Sequence, residues 1–72
     1  MTTRMWEAVA ATGRLDELVA WVMQHAAEAA QVYRSAEDRV VVIDPTGSGP
    51  PDAPSELLAR PAHSWDFEVV PR

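Results

Sequence analysis

The residue best placed for acid–base chemistry is His63, which begins the alternating segment His63-Ser64-Trp65-Asp66-Phe67. In an extended strand alternate side chains share a face, so His63, Trp65 and Phe67 would lie together. A histidine at the mouth of such an apolar surface could act as a general base towards a bound organic molecule. The competing interpretation is a solvated histidine at the start of a strand.

Tyr33 and Arg34 are weaker catalytic candidates, because neighbours in a strand face opposite sides and only one of them can point inward. Arg34 could neutralise an anionic substrate, and Tyr33 could donate a hydrogen bond. An ordinary edge strand explains both residues equally well. Glu7 and Glu68 could form an acid–base pair if the sheet brought them together, although acids on a solvated face are common.

Three tryptophans, at positions 6, 21 and 65, stand out in a chain with one phenylalanine and one tyrosine. Their flat rings could hold an aromatic ligand, so Trp6, Trp65 and Phe67 are candidate ligand or interface residues. We favour core packing or a dimer interface, because aromatic residues are enriched at interfaces.

The sequence contains no pattern typical of a metal or phosphate site, and we expect neither a metal nor a cofactor. His25 and His63 could join Asp44 or Asp66, but no two histidines lie one helical turn apart. The segment Thr46-Gly47-Ser48-Gly49 resembles a phosphate loop only loosely. The chain has no lysine, and the neighbouring prolines remove backbone donors.

Composition limits the remaining possibilities. A length of 72 residues predicts one domain, with a core small enough to need support from a second subunit. The absence of cysteine excludes disulfides and thiol nucleophiles. A formal net charge of -5 disfavours nucleic acid as a partner. No apolar run predicts a membrane span or a signal peptide, so we expect a soluble, cytoplasmic protein.

Hydrophobic periodicity predicts the first elements. Residues 4–10 form a short apolar run that indicates an interior strand. An amphipathic helix follows from Leu15, with apolar residues at intervals of three and four. Residues 30–35 and 39–44 flank a polar turn and predict a hairpin, whose continuous run 40–43 indicates an interior second arm. The helical stripe consists of Leu15, Leu18, Val19, Val22, Ala26 and Ala29.

The second half of the chain is richer in proline. Residues 44–54 predict a loop, residues 54–60 a short helix stopped by Pro61, and residues 63–70 a half-exposed strand. The resulting order predicts an α+β domain over residues 1–72. It would be a ferredoxin-like βαββαβ split motif, with a four-stranded antiparallel sheet and one long and one short helix on one face.

Three segments, residues 5–10, 13–21 and 32–35, resemble a shortened dimeric α/β-barrel protein of the antibiotic-biosynthesis-monooxygenase type. In that superfamily two sheets pack face to face, and its members include cofactor-free monooxygenases, haem-degrading enzymes and proteins with no established activity. The resemblance implies a homodimer. The chain lacks the family's usual helical histidine followed by a tryptophan-rich region, so the resemblance assigns no catalytic residue.

Two functions follow from the sequence. The first is a homodimeric structural or interaction module, which needs only a covered sheet. The alternative is a dimeric α/β-barrel enzyme or binder that acts on a small apolar organic molecule, which needs a cavity and a well-placed polar group. We expect the first.

Overall fold

The structure, a computed structural model, describes residues 2–72. Its four strands form one antiparallel sheet in the order β2-β3-β1-β4, which confirms the predicted α+β class. The elements in chain order are β1 (Thr2–Val9), α1 (Leu15–His25), β2 (Gln31–Arg34), β3 (Arg39–Asp44) and β4 (His63–Glu68).

β1 and β3 are the two interior strands, as their apolar runs predicted. Their register pairs Trp6 with Val42 and Ala8 with Val40, and these four side chains lie buried on one face of the sheet. The predicted hairpin is also present, with β2 as its edge arm. Asp38 closes the hairpin turn with a left-handed φ of 62°.

The core lies between this face and α1. Leu18 and Val22 of the helix are fully buried, as are Val40 and Val42 beneath them. Each such side chain contributes roughly 1.5–3 kcal/mol by leaving water. The helix lies over β2 and β3 and against the turn at residues 55–57. The complete cluster consists of Trp6, Ala8, Ala10, Leu18, Val22, Val40, Val42 and Leu57.

The helix is shorter than its apolar stripe predicted. It ends at His25, and Ala26 has extended backbone angles while its N–H still donates to the carbonyl of Val22. Ala29, the last member of the stripe, is exposed. A methyl group buries too little area to hold a further turn against the sheet, so the chain turns towards β2 instead.

The predicted second helix over residues 54–60 is wrong. Only a three-residue 3-10 turn forms, at Ser55–Leu57, so the chain has one α-helix and the order β-α-β-β-β. The turn has two internal hydrogen bonds, from the Leu57 and Leu58 N–H groups, and the rest of the segment bonds to the end of β1. The Ala11 N–H donates to the Leu57 carbonyl at 2.8 Å, and the Ala59 N–H donates to the Val9 carbonyl at 2.9 Å.

The pairing with β1 is interrupted between Leu58 and His63. Ala10 faces Leu58 and Glu7 faces His63, so three residue steps along β1 correspond to five along the later segment, which has two more residues than β1 can pair. Pro61 lies in this stretch and has no N–H to donate. β4 itself ends at Glu68, two residues earlier than predicted, and all six of its residues are exposed.

Asp44 anchors the loop that follows β3. Its carboxylate is fully buried and accepts three hydrogen bonds from the loop. The Thr46 N–H and hydroxyl donate to Oδ1 at 2.8 and 2.6 Å, and the Gly49 N–H donates to Oδ2 at 3.0 Å. Gly47 lies between them with φ +81°, where an added Cβ would lie 2.9 Å from the Thr2 carbonyl oxygen.

The surroundings of Asp44 hold its pKa below the ordinary value. Burial alone raises the pKa, because it disfavours the charged form, but the bonds from Thr46 and Gly49 together with the nearby Arg4 outweigh burial. The folded state therefore binds this proton less readily than the unfolded state. The resulting stabilisation is present above the unfolded pKa of about 4 and is lost as pH falls through the folded pKa.

Asp44→Asn is expected to lower the free energy of unfolding by about 1–3 kcal/mol at neutral pH, because an amide nitrogen cannot accept the bonds that one carboxylate oxygen now accepts. Urea unfolding followed by circular dichroism measures this loss. The variant should also show a smaller decline in stability between about pH 5 and pH 3 than the original chain.

Glu28→Gln is the matched control, since it removes one carboxylate from an exposed turn. It should change stability by less than about 0.5 kcal/mol. Equal effects of the two substitutions would show that Asp44 does not anchor the loop.

Candidate functional site

The face of the sheet opposite α1 has no covering element among residues 2–72, and we call it the open face. Strand alternation fixes its members, since Trp6, Ala8, Val40 and Val42 point to the helix. The open face comprises Thr3, Met5, Glu7, Val9, Gln31, Tyr33, Arg39, Val41, Ile43, His63, Trp65 and Phe67.

An apolar row crosses the open face from strand to strand. Ile43 is the register partner of Met5, and Met5 is the partner of Trp65 on β4. Phe67 lies next along β4, opposite Thr3. Trp65 is 46% exposed and Phe67 52%, which is high for side chains of this size. Contiguous exposed apolar surface of this kind is typical of a contact site.

The charges on the open face are paired within the chain. Glu7 forms ion pairs with Arg39, whose Nε lies 3.0 Å from Oε2, and with Arg60, whose Nη2 lies 3.5 Å from Oε1, and its side chain is only 13% exposed. His63 is the register partner of Glu7, and its ring stacks on Trp65 with centroids 6.0 Å apart. The acid at the centre of this face is therefore neutralised by two guanidinium groups.

The predicted catalytic residues are not brought together. Tyr33 lies on β2 and His63 on β4, at opposite edges of the sheet. The Tyr33 hydroxyl donates to Gln31 at 2.7 Å, whereas Arg34 points to the helix side and lies 3.5 Å from Asp16. In a single chain the sheet separates His63, Tyr33 and Arg34, so each stays a separate candidate.

The other residues that the sequence singled out are also dispersed. Glu68 faces Thr2 on the helix side, so it lies on the opposite face from Glu7. Trp21 stacks on His25 with centroids 4.4 Å apart, at the end of α1. Within residues 2–72, no group of three or more histidine or acidic side chains could hold a metal ion.

A cavity of about 570 Å³ opens on the helix side of β1 and β4. Arg4, Trp6 and Ser64 form its floor, and the chain between Gly49 and Ala62 forms its walls. The volume falls within the range of small-molecule sites, roughly 300–1,000 Å³. The full lining is Arg4, Trp6, Gly49, Pro50, Asp52, Ala53, Ser55, Leu58, Arg60, Pro61, Ala62, His63 and Ser64.

The cavity exists because the helix layer is incomplete. α1 lies over β2 and β3, and the three-residue turn at Ser55–Leu57 is too short to fill the space over β1 and β4. The three predicted ligand or interface residues are divided between the two faces of the sheet. Trp6 contributes to the cavity floor, whereas Trp65 and Phe67 lie on the open face.

Arg4 is the main charged group of the cavity floor. Its Nε donates to Asp66 Oδ1 at 2.6 Å, which fixes the guanidinium on the sheet. Within the described part of the chain, its two terminal nitrogens make no hydrogen bond. Arg60 and the Ser55 and Ser64 side chains add further donors to the lining.

Comparison with known proteins gives no relative: no protein-family model, curated protein or solved structure matches this chain. No helix within residues 2–72 is long and apolar enough to cross a membrane.

Sequence reasoning missed several residues of these two surfaces. No sequence motif marks Arg4, Arg39 or Arg60. An isolated arginine in or beside a strand is usually solvated, so none of them was a candidate. Asp44 had a usable signal, since an aspartate with threonine two residues later and a glycine-rich continuation favours a turn closed by the aspartate side chain.

Glu7→Gln is expected to destabilise the chain by about 1 kcal/mol, because it weakens contacts to two arginines at a mostly buried position. Thermal and urea unfolding measure the loss, and added salt should diminish it. Glu68→Gln, which removes an acid from an exposed position on β4, serves as control. A loss of equal size in both variants would contradict a special role for Glu7.

Proposed function

We propose that the protein is a homodimeric structural or interaction module in which two open faces pack against each other. The apolar row Ile43, Met5 and Trp65, with Phe67 beside it, carries the proposal. No element of the described chain covers this row, although one helix covers the other face. A domain with a small core gains most from such cover, because the free energy from its buried apolar surface only slightly exceeds the cost in conformational entropy.

Charge favours a second copy as the occupant. In a two-fold symmetric interface each patch meets its own kind, so unpaired like charges would repel. Glu7 is already paired with Arg39 and Arg60, and the apolar row carries no charge. A second open face can therefore approach without leaving a buried charge unpaired.

The size of the open face sets how much of it a dimer would use. Four strands about 4.8 Å apart, each with six or so residues at about 3.3 Å per residue, span roughly 20 Å in both directions. The projected area is about 400 Å² per chain, and the relief of the side chains adds to it. A standard interface contributes about 800 Å² per partner, so the whole face, with the relief of its side chains, would have to take part.

The strand order supports a ferredoxin-like relationship as part of the same proposal. β3 pairs antiparallel with both β1 and β2, which makes β1 and β2 parallel strands joined through α1 and split by β3. A split βαβ unit is the core of that fold. The missing second helix makes this chain a reduced version. Location in the cytoplasm stays a prediction from the sequence.

The alternative function, a dimeric α/β-barrel enzyme or binder for an apolar organic molecule, has one observation in its favour. This is the cavity over β1 and β4, whose floor contains Trp6. The separation of His63 from Tyr33 and Arg34 argues against the enzyme alternative, because general acid–base catalysis needs its groups within reach of one substrate.

Light scattering across about 1–500 μM should give a mass of two chains of 7.9 kDa at the higher concentrations. Trp65→Glu should weaken the dimer about a hundredfold or more, because it removes a large aromatic anchor and adds a charge. Trp65 is 46% exposed in the single chain, so circular dichroism should show that the variant stays folded.

Val70→Glu is the matched control. It adds the same charge at a 77% exposed residue beyond the end of β4, and it should leave the dimer intact. A chain that remains monomeric up to about 500 μM would contradict the homodimer, and so would dissociation of the Val70 variant to the same extent as the Trp65 variant.

A further inference from the structure

We infer that the cavity over β1 and β4 is a binding site for a small organic monocarboxylate with a flat apolar body. The cavity lies on the helix side of the sheet apart from His63 and Arg60 at its edge, and the inference does not rest on the proposed dimer. It follows from the shape, the apolar surface and the charge of the lining.

The apolar part of the lining suits a planar molecule. The Trp6 ring forms part of the floor, and Leu58, Ala53 and prolines 50 and 61 line the walls. Small-molecule sites typically combine such apolar walls with a few polar groups that fix orientation. A flat ring bounded by an indole and aliphatic side chains gains from both burial and contact geometry.

The charge of the lining selects the ligand's head group. Arg4 and Arg60 are the cations of the lining, and Asp52 is its acid. Asp66 pairs with Arg4 through Nε and Glu7 pairs with Arg60, so the lining has no surplus of positive charge. The two terminal nitrogens of Arg4 are the donors left for a ligand, and they match one carboxylate better than a phosphate dianion, which the nearby acids would repel more strongly.

Arg4 is preorganised for this role. Its Nε is held by Asp66 at 2.6 Å, and its aliphatic stem lies against Gly49, where an added Cβ would approach Cγ to 3.1 Å. The Gly49 N–H is bound in turn by Asp44, so the buried carboxylate fixes the loop that supports the arginine. The terminal nitrogens of Arg4 are left to donate to a carboxylate, and such charge-assisted bonds are strong.

The probe for the test is 2-naphthylacetate, with neutral 2-naphthylacetamide as its isosteric partner. Titration into the 15N-labelled protein, followed by NMR, is expected to shift the amide signals of Gly49, Ser64 and their neighbours saturably. A Kd of about 1 mM or tighter is expected for a ligand of this size. The amide should bind about tenfold more weakly, because it cannot pair with Arg4.

Arg4→Gln and Arg60→Gln should each weaken the naphthylacetate about tenfold, whereas Arg34→Gln, on the far edge strand, should leave Kd unchanged. If Arg4→Gln fails to fold, the Arg60 variant and the comparison of the acid with the amide still test whether the cavity binds a carboxylate. The Trp65→Glu variant should bind as the original chain does, which separates this site from the dimer.

Three results would overturn the inference. They are the absence of saturable shifts at about 10 mM probe, shifts centred on the open face instead of the cavity, and equal affinity for the acid and the amide.

Discussion

One helix must cover a four-stranded sheet in this chain, and the rest of the structure follows from that shortage. α1 has 11 residues, so it is about 16 Å long and about 10 Å wide, whereas four strands span roughly 19 Å. The helix therefore covers β2 and β3, and the half of the sheet formed by β1 and β4 needs another cover. The loop and turn between Asp44 and His63 provide it.

That cover has no regular hydrogen-bond ladder of its own, so single polar groups hold it in place. Asp44 fixes one end of the loop through Thr46 and Gly49, and the backbone of residues 57–59 fixes the other end to β1. A loop fastened only at its ends does not fill the space beneath it as a helix would. The cavity and the buried carboxylate are thus two results of the same missing helix.

The sequence predicted the parts of the fold that depend on long apolar patterns. The continuous run at residues 40–43 and the stripe from Leu15 to Val22 produced an interior strand and a helix at those places. Prediction failed where short segments could bond in two ways. Residues 54–60 have the composition of a helix start, but the Leu57 carbonyl and the Ala59 N–H bond to the end of β1, and a pattern of side chains carries no information about such competition.

Positions in the site were harder to predict than elements, because they depend on register. The sequence grouped Trp6, Trp65 and Phe67, yet the pairing of Trp6 with Ser64 and of Met5 with Trp65 places them on opposite faces. The same register determines which edge of the sheet is open to other chains. Along the outer side of β4, Pro61 and the two extra residues break the row of donors and acceptors between Leu58 and His63. A foreign strand that paired with β4 could not continue past His63 in register, so the interruption that shapes the cavity wall also limits how long an added strand can be.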